Sequence, residues 1–182
     1  MSYSFKNLRT PQNLSVRGVA EYALLAPKSY FEVNGIKAPV GPFINQGDMI
    51  TITTPHVFTA GMGFLYFQLA PQKNQLDSET TGDRGLQSIT SGIDIFVPGS
   101  YKEVHEQMQN LINVPCIAMQ KDASCPDNLI YQLGCDCNFA WLNWKFTTGT
   151  TKDGVKGFAV KVDYDGAIQF YNVAGGPELM AD

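Results

Sequence analysis

Four cysteines, Cys116, Cys125, Cys135 and Cys137, fall within 22 residues of one another. Thiolates bind zinc or pair as disulfides, so this is the first place to look for chemistry. The spacing C-x8-C-x9-C-x-C lacks the two short C-x2-C knuckles of a zinc ribbon. Cys135 and Cys137 would share one side of an extended strand and so could address one metal. Three readings are open: a zinc site, a disulfide joining Cys125 to Cys135 or Cys137, and reduced structural thiols. The last is what a cytosolic protein favours. The chain has only two histidines, His56 and His105. They form no H-x-x-x-H pair and no metal triad with a carboxylate, so a solvated or partly packed imidazole is expected at each. No G-x-S-x-G elbow is present to expose a nucleophilic serine. The expectation is a protein that is not an enzyme and carries no cofactor.

Other motifs reduce to structure. Gly149-Thr-Thr-Lys-Asp-Gly154 lacks the Gly-Lys-Ser/Thr ending of a phosphate loop and sits between two strand-like runs, so a hairpin turn explains it better. Gly61-Met-Gly63 lacks the third glycine of a dinucleotide site. Trp141 and Trp144 lie three apart on a β-rich run, which puts them on opposite faces. One suits the core and the other a partner surface or, less simply, a sugar.

The elements that must hold these residues are mainly strands. Gly18–Ala26 reads as a strand closed by Pro27. Residues 34–47 hold Asn34-Gly35, Pro39, Gly41, Pro42 and Gly47, which is loop chemistry. Asp48–Thr54 alternates, with Ile50 and Ile52 on one face, and Gly63–Ala70 is an apolar run of strand length. Residues 71–85 read as a long polar loop, a length that in a compact domain points to function or disorder. Ser88–Val97 is a strand. Ser100-Tyr-Lys-Glu103 has the form of a capping box, and Tyr101, Val104, Met108 and Leu111 then recur at helical spacing. One flanking helix over about residues 100–112 follows, ending before Pro115. Strand-like runs continue at 114–121, 129–133 and 139–146. Phe158, Val160, Val162 and Tyr164 alternate in a half-buried strand. Asp165-Gly166 signals a hairpin back through 167–173. The arrangement predicted is a single mainly β domain over residues 1–182, antiparallel sheets forming a β-sandwich or barrel with one flanking α-helix. An irregular N-terminal arm (1–17) and a loose C-terminal tail (175–182) are expected.

Composition narrows the function classes. At 182 residues and 20.0 kDa the chain can bury a core without a metal or disulfide. Charged residues are 16% and aromatics 12%. Disordered chains are charge-rich and aromatic-poor, so disorder is excluded. Such low charge is unusual on a solitary soluble monomer and points to protein-facing surface. The net charge is −4; a nucleic-acid binder would carry a basic patch. The charge divides unevenly, +3 over residues 1–47 and −7 beyond. A basic leading segment (Lys6, Arg9, Arg17) could therefore meet the acidic body of a neighbouring copy. The N-terminus has no signal-peptide pattern and no run is long enough to cross a membrane as a helix, so a chain made in a cytoplasm and not held in a membrane is expected.

One resemblance gathers these elements. The stretch from Gly82-Asp-Arg-Gly85 through Phe96-Val-Pro-Gly-Ser100, the helix Tyr101–Leu111, Asn113-Val-Pro, Lys121-Asp and Tyr131-Gln-Leu-Gly134 to Cys137 continues into Phe146-Thr-Thr-Gly-Thr-Thr-Lys-Asp-Gly-Val-Lys-Gly157 and two last strands. It resembles, in order and turn chemistry, the tail tube proteins of long-tailed phages, in the variety found with Bacteroidetes hosts. The first 70 residues add little to the likeness. The resemblance implies a structural virion protein assembled in the host cytoplasm. Its sheets would join copy to copy in a ring, expected to be a hexamer, and the rings would stack around a lumen through which DNA passes without specific binding. An acidic lining would suit that lumen. It also implies subunit contacts from the arm (Lys6, Arg9, Arg17) and from the 71–85 region (Asp77, Glu79, Asp83, Arg84), with other virion proteins as further partners. A neck or ring protein, a head–tail connector or a tail terminator is the alternative within the same class. A cytosolic binding module with a metal site at Cys116, Cys125, Cys135 and Cys137 is the alternative of another class.

Overall fold

The computed structural model describes residues 22–45, 47–70, 73–121, 130–149 and 155–181. Within them are ten strands, one α-helix and two short 3-10 turns, at Lys28–Tyr30 and Asp48–Ile50. The strands are β1 (Tyr22–Pro27), β2 (Thr51–Ile52), β3 (Leu65–Gln68), β4 (Gln75–Thr81), β5 (Ser88–Pro98), β6 (Cys116–Lys121), β7 (Ile130–Leu133), β8 (Trp141–Thr147), β9 (Gly157–Tyr164) and β10 (Gln169–Tyr171); α1 spans Lys102–Asn110. They form a six-stranded sheet, β2-β10-β7-β6-β1-β3, and a four-stranded sheet, β4-β5-β9-β8. The fold is mainly β, as expected, and sandwich-like; the sheets do not close into a barrel.

Side-chain alternation explains how the layers stack. In β9, Phe158, Val160, Val162 and Tyr164 are buried while Ala159 and Lys161 are exposed. In β5, Ile93, Ile95 and Val97 turn to the same interior. The six-stranded sheet is apolar on both faces, which is why β6 is buried without interruption from Cys116 to Gln120. One of its faces carries Leu25, Leu65, Ala118 and Leu133, in one core with the four-stranded sheet. The other carries Leu24, Ile52, Met119 and Tyr171. It is roofed by the segment between β1 and β3, through Phe31, His56, Phe58 and Phe64. Doubly covered strands read as continuous apolar runs rather than as alternation.

Several expectations are corrected. The long polar loop expected over 71–85 is instead mostly strand: Gln75–Thr81 is β4, paired antiparallel with β5 from Gln75↔Asp94 to Thr81↔Ser88. The last β5–β9 pair is Ser91↔Tyr164, so the β4–β5 hairpin runs on past the body as a two-stranded ribbon exposed on both faces. Asp165-Gly166 does not close a hairpin. β10 leaves β9 and pairs with β7 and, in parallel, β2, so this turn carries the chain from one sheet to the other. A Cβ at Gly166 would come within about 2.5 Å of the Tyr164 ring, so a larger residue there would have to displace that ring. Ser91 Oγ donates to the Gly166 carbonyl at 2.7 Å. The capping box does not form. Helix α1 starts one residue later, with Tyr101 as N-cap and no side-chain cap bond. Tyr101 is 65% exposed, while Val104, Met108 and Leu111 are buried as the stripe requires. Asp48–Ile50 is a 3-10 turn rather than strand, so Ile50 is exposed and Ile52 is buried. The tail is tied down over residues 178–180: Phe64 N donates to the Glu178 carbonyl at 2.9 Å and Met180 N to the Phe64 carbonyl at 3.0 Å. The N-terminal arm (1–17) lies outside the described residues.

Candidate assembly surface

The outer face of the four-stranded sheet presents the residues that alternate away from the core. Across it run Gln75, Asp77 and Glu79 on β4, Gly92 and Asp94 on β5, Ala159, Lys161 and Asp163 on β9, and Trp141, Asn143 and Lys145 on β8. Small residues at Gly92 and Ala159 keep the middle of the face shallow. A groove of 430 Å³ crosses it, floored by Phe96 and Ala159 and rimmed by Lys73, Asp94, Lys145 and Lys161. Lys73 Nζ sits 4.8 Å from the centre of the buried Phe96 ring, a cation–π contact.

Charge is partly graded across this face. Asp77, Glu79 and Asp94 lie on β4 and β5 and Lys145 and Lys161 on β8 and β9, while Lys73 beside β4 and Asp163 beside β8 run against that trend. Lys161 Nζ lies 3.0 Å from Asp163 Oδ1, and Asn143 Nδ2 donates to the other Asp163 oxygen at 3.0 Å. The hydrogen bond and charge of Asp163 raise the Lys161 pKa, with Asp94 and Glu79 adding to the effect. The face is therefore of mixed sign.

Both end strands of this sheet, β4 and β8, are seven residues long, and neither pairs with a further strand among the described residues. Every pairing in the sheet is antiparallel. Four alternating strands leave the two end strands running in opposite directions. A rotation about an axis along the strands would keep that sense, so these two edges have the directions an antiparallel join between copies requires.

The structure brings together some of the residues singled out in the sequence. Asp77 and Glu79 sit on the open β4 edge, and Asp83 and Arg84 in the exposed turn of the ribbon. Lys6, Arg9 and Arg17 lie outside the described residues. The cysteines divide. Cys116 is fully buried, donates to the Ala140 carbonyl at 3.3 Å, and has its thiol pKa pushed up to about 12 by burial. Cys135 and Cys137 do not share an extended strand; they lie in a tight turn closed by reciprocal Cys135–Asn138 backbone bonds. There Tyr164 OH, its pKa raised by burial and by the bond itself, donates to Cys135 Sγ at 3.8 Å. Cys125 lies outside the described residues. Among the described residues no three His, Cys, Asp or Glu side chains converge as metal ligands.

The tryptophans separate as their spacing requires. Trp141 is 46% exposed, while Trp144 turns in and donates from Nε1 to the Met108 carbonyl at 2.9 Å, locking α1 to β8. His105 packs edge-on against Phe146 and Phe158. His56 is buried more deeply than its sequence context suggests. Its Nδ1 accepts from Lys37 N at 2.9 Å and its Nε2 bonds Gln132 Oε1 at 2.8 Å. Burial lowers the His56 pKa; the Gln132 bond partly offsets this, and the Lys37 charge adds to it. Among the described residues no helix is long and apolar enough to cross a membrane. No family model matches the chain, and neither a curated protein nor a solved structure matches it.

Proposed function

We propose that this chain is a structural subunit of a phage virion, a tail tube protein whose copies join through the four-stranded sheet into rings that stack. The observation that carries this reading is the pair of open, oppositely running edge strands β4 and β8 on one sheet. Long unpaired edges are a hazard that monomers blunt with charged side chains, bulges, prolines or covering segments; here charges at Asp77, Glu79 and Lys145 are present, but both strands are seven residues long. Ring closure removes both edges at once. Level across the sheet, Lys145 lies in the row of Ala159, Phe96 and Lys73, so a join that sets Asp77 of one copy beside Lys145 of the next needs the copies shifted by four residues along the strands. Low overall charge and the order of elements from Gly82 to Val173 support the reading further. The outer face of the sheet then lines the lumen, where its mixed charge offers no continuous basic track to hold DNA. A neck, connector or terminator role would use the same edges and differ only in the place taken in the particle.

Negative-stain microscopy of the concentrated full-length protein tests this. Annular particles, single or stacked, are expected. Single compact particles at every concentration would overturn the reading.

A further inference from the structure

Among the described residues, seven of the fourteen large apolar side chains left exposed fall between Val33 and Val57. Five of them, Val40, Phe43, Ile44, Met49 and Ile50, belong to one excursion, residues 38–50, that leaves the roof over the six-stranded sheet. Val40 is 75%, Ile44 80% and Met49 70% exposed. Together they present on the order of several hundred Å² of apolar surface, the size of the largest patch on a typical monomer. Residues 38–47 contain no charged side chain at all. A surface loop of a solitary soluble protein would ordinarily be studded with charge.

The excursion is also built. Asp48, the one acid in it, is spent internally: its Oδ2 accepts from Ile44 N at 3.0 Å and from Asn45 N at 2.8 Å. Thr51 Oγ1 donates to the Gly47 carbonyl at 2.9 Å. At its base, Lys37 N donates to the buried His56, so the core fixes where the loop leaves the body.

We infer that the loop holding Val40, Phe43, Ile44, Met49 and Ile50 docks on a second copy of this chain, against Leu86 and Ile89 on the β4–β5 ribbon. This rests on the self-assembly reading above and names a second contact for it, apart from the joined sheet edges. The occupant follows from chemistry. An uncharged apolar knob has nothing to offer a phosphate backbone or a strongly charged partner. The chain supplies a matching surface of its own: Leu86 is 83% and Ile89 42% exposed on the ribbon, which reaches beyond the body and continues directly from the open β4 edge. Burying both against one another removes the two exposed apolar features together.

The test is a photo-crosslinker, p-benzoylphenylalanine, placed at Ile44 in full-length protein. Chains with and without 15N are mixed, so that contacts between copies are distinguished by mass. A crosslink between differently labelled chains, landing in the peptide that holds Leu86 and Ile89, is the expected result. A crosslink elsewhere on the second copy, or none between copies, overturns the assignment. In parallel, Val40→Ser with Ile44→Ser should raise the concentration for half-assembly by at least about tenfold with an unchanged far-UV circular dichroism spectrum and melting temperature. Wild-type rings with an unshifted variant sink this inference and leave the proposed function standing. A wild type that never assembles sinks both. Flotation of the wild type, but not the variant, with phosphatidylglycerol vesicles would assign the loop to a lipid surface and refute docking on a second copy.

Discussion

Lowering the pH should destabilise this protein through His56. The imidazole is 5% exposed and stacked on Tyr171, with ring centres 5.1 Å apart. Its Nδ1 accepts a backbone N–H from Lys37, which leaves Nε2 to carry the proton of the neutral ring and donate to Gln132 Oε1. Gln132 in turn donates to the Gly134 carbonyl at 3.1 Å. A second proton on Nδ1 would face the Lys37 N–H with no acceptor. Burial is the main reason the folded-state pKa lies below the ordinary value of 6.5. The folded state therefore binds fewer protons than the unfolded state, and stability present above that value is lost as pH falls below it. While the folded ring stays neutral, the loss approaches about 1.4 kcal/mol per pH unit. Between pH 7.5 and 5.5 this integrates to at most about 1.4 kcal/mol, or roughly 3 to 6 °C in Tm for a domain of this size. The assay is urea unfolding of the wild type and His56→Gln at both pH values. The substitution lowers stability at pH 7.5 because it removes the stacked ring. The pH-dependent difference between the two proteins isolates His56 from every other titrating group. Equal pH dependence in the two proteins would refute the reasoning.

Three further outcomes are expected. Reversing Asp77 and Glu79 to Lys should weaken ring formation by about tenfold or more, with rescue by Lys145→Glu in the same chain, read by sedimentation velocity; failure of the rescue would separate these charges from one another. Gln120→Met should stabilise the fold by about 1 to 2 kcal/mol in urea unfolding, because both polar ends of this 1%-exposed carboxamide have no hydrogen-bond partner among the described residues; destabilisation would reveal a partner for it. Under native conditions at pH 8, Cys137 should react with iodoacetamide while Cys116 does not, as peptide mass mapping would record, because one thiol is exposed and the other is buried with its pKa near 12.

Where a strand has one wet and one dry face, its sequence declares it: β9 alternates because Lys161 and Val162 meet different media. Strand β4 declares nothing. Gln75-Leu-Asp-Ser-Glu-Thr-Thr81 is exposed on nearly all sides, so no apolar period exists, and only its ladder with β5 makes it a strand. Asp165-Gly166 has the chemistry of a hairpin turn, but turn chemistry does not say which sheet the next strand joins. The large Tyr164 ring packed over Gly166 accounts for the glycine instead. Ser100 and Glu103 have capping-box spacing, but the helix starts at Lys102 and the box is out of phase. The edge proposed for assembly is legible only in part: Asp77 and Glu79 stand out in the sequence as charged contact candidates, while the β8 run reads only as β-rich. Exposure of Val40, Ile44 and Met49 had no signal at all, because apolar residues within a proline- and glycine-rich loop carry no periodicity that distinguishes inside from outside.

In the proposed ring, identical neighbours satisfy the open edges of the four-stranded sheet. Native mass spectrometry of the full-length chain over a range of concentrations tests it most directly. A closed multiple of the 20.0 kDa chain, six for a hexameric ring, is the predicted species. A single-chain mass that persists at every concentration would contradict it.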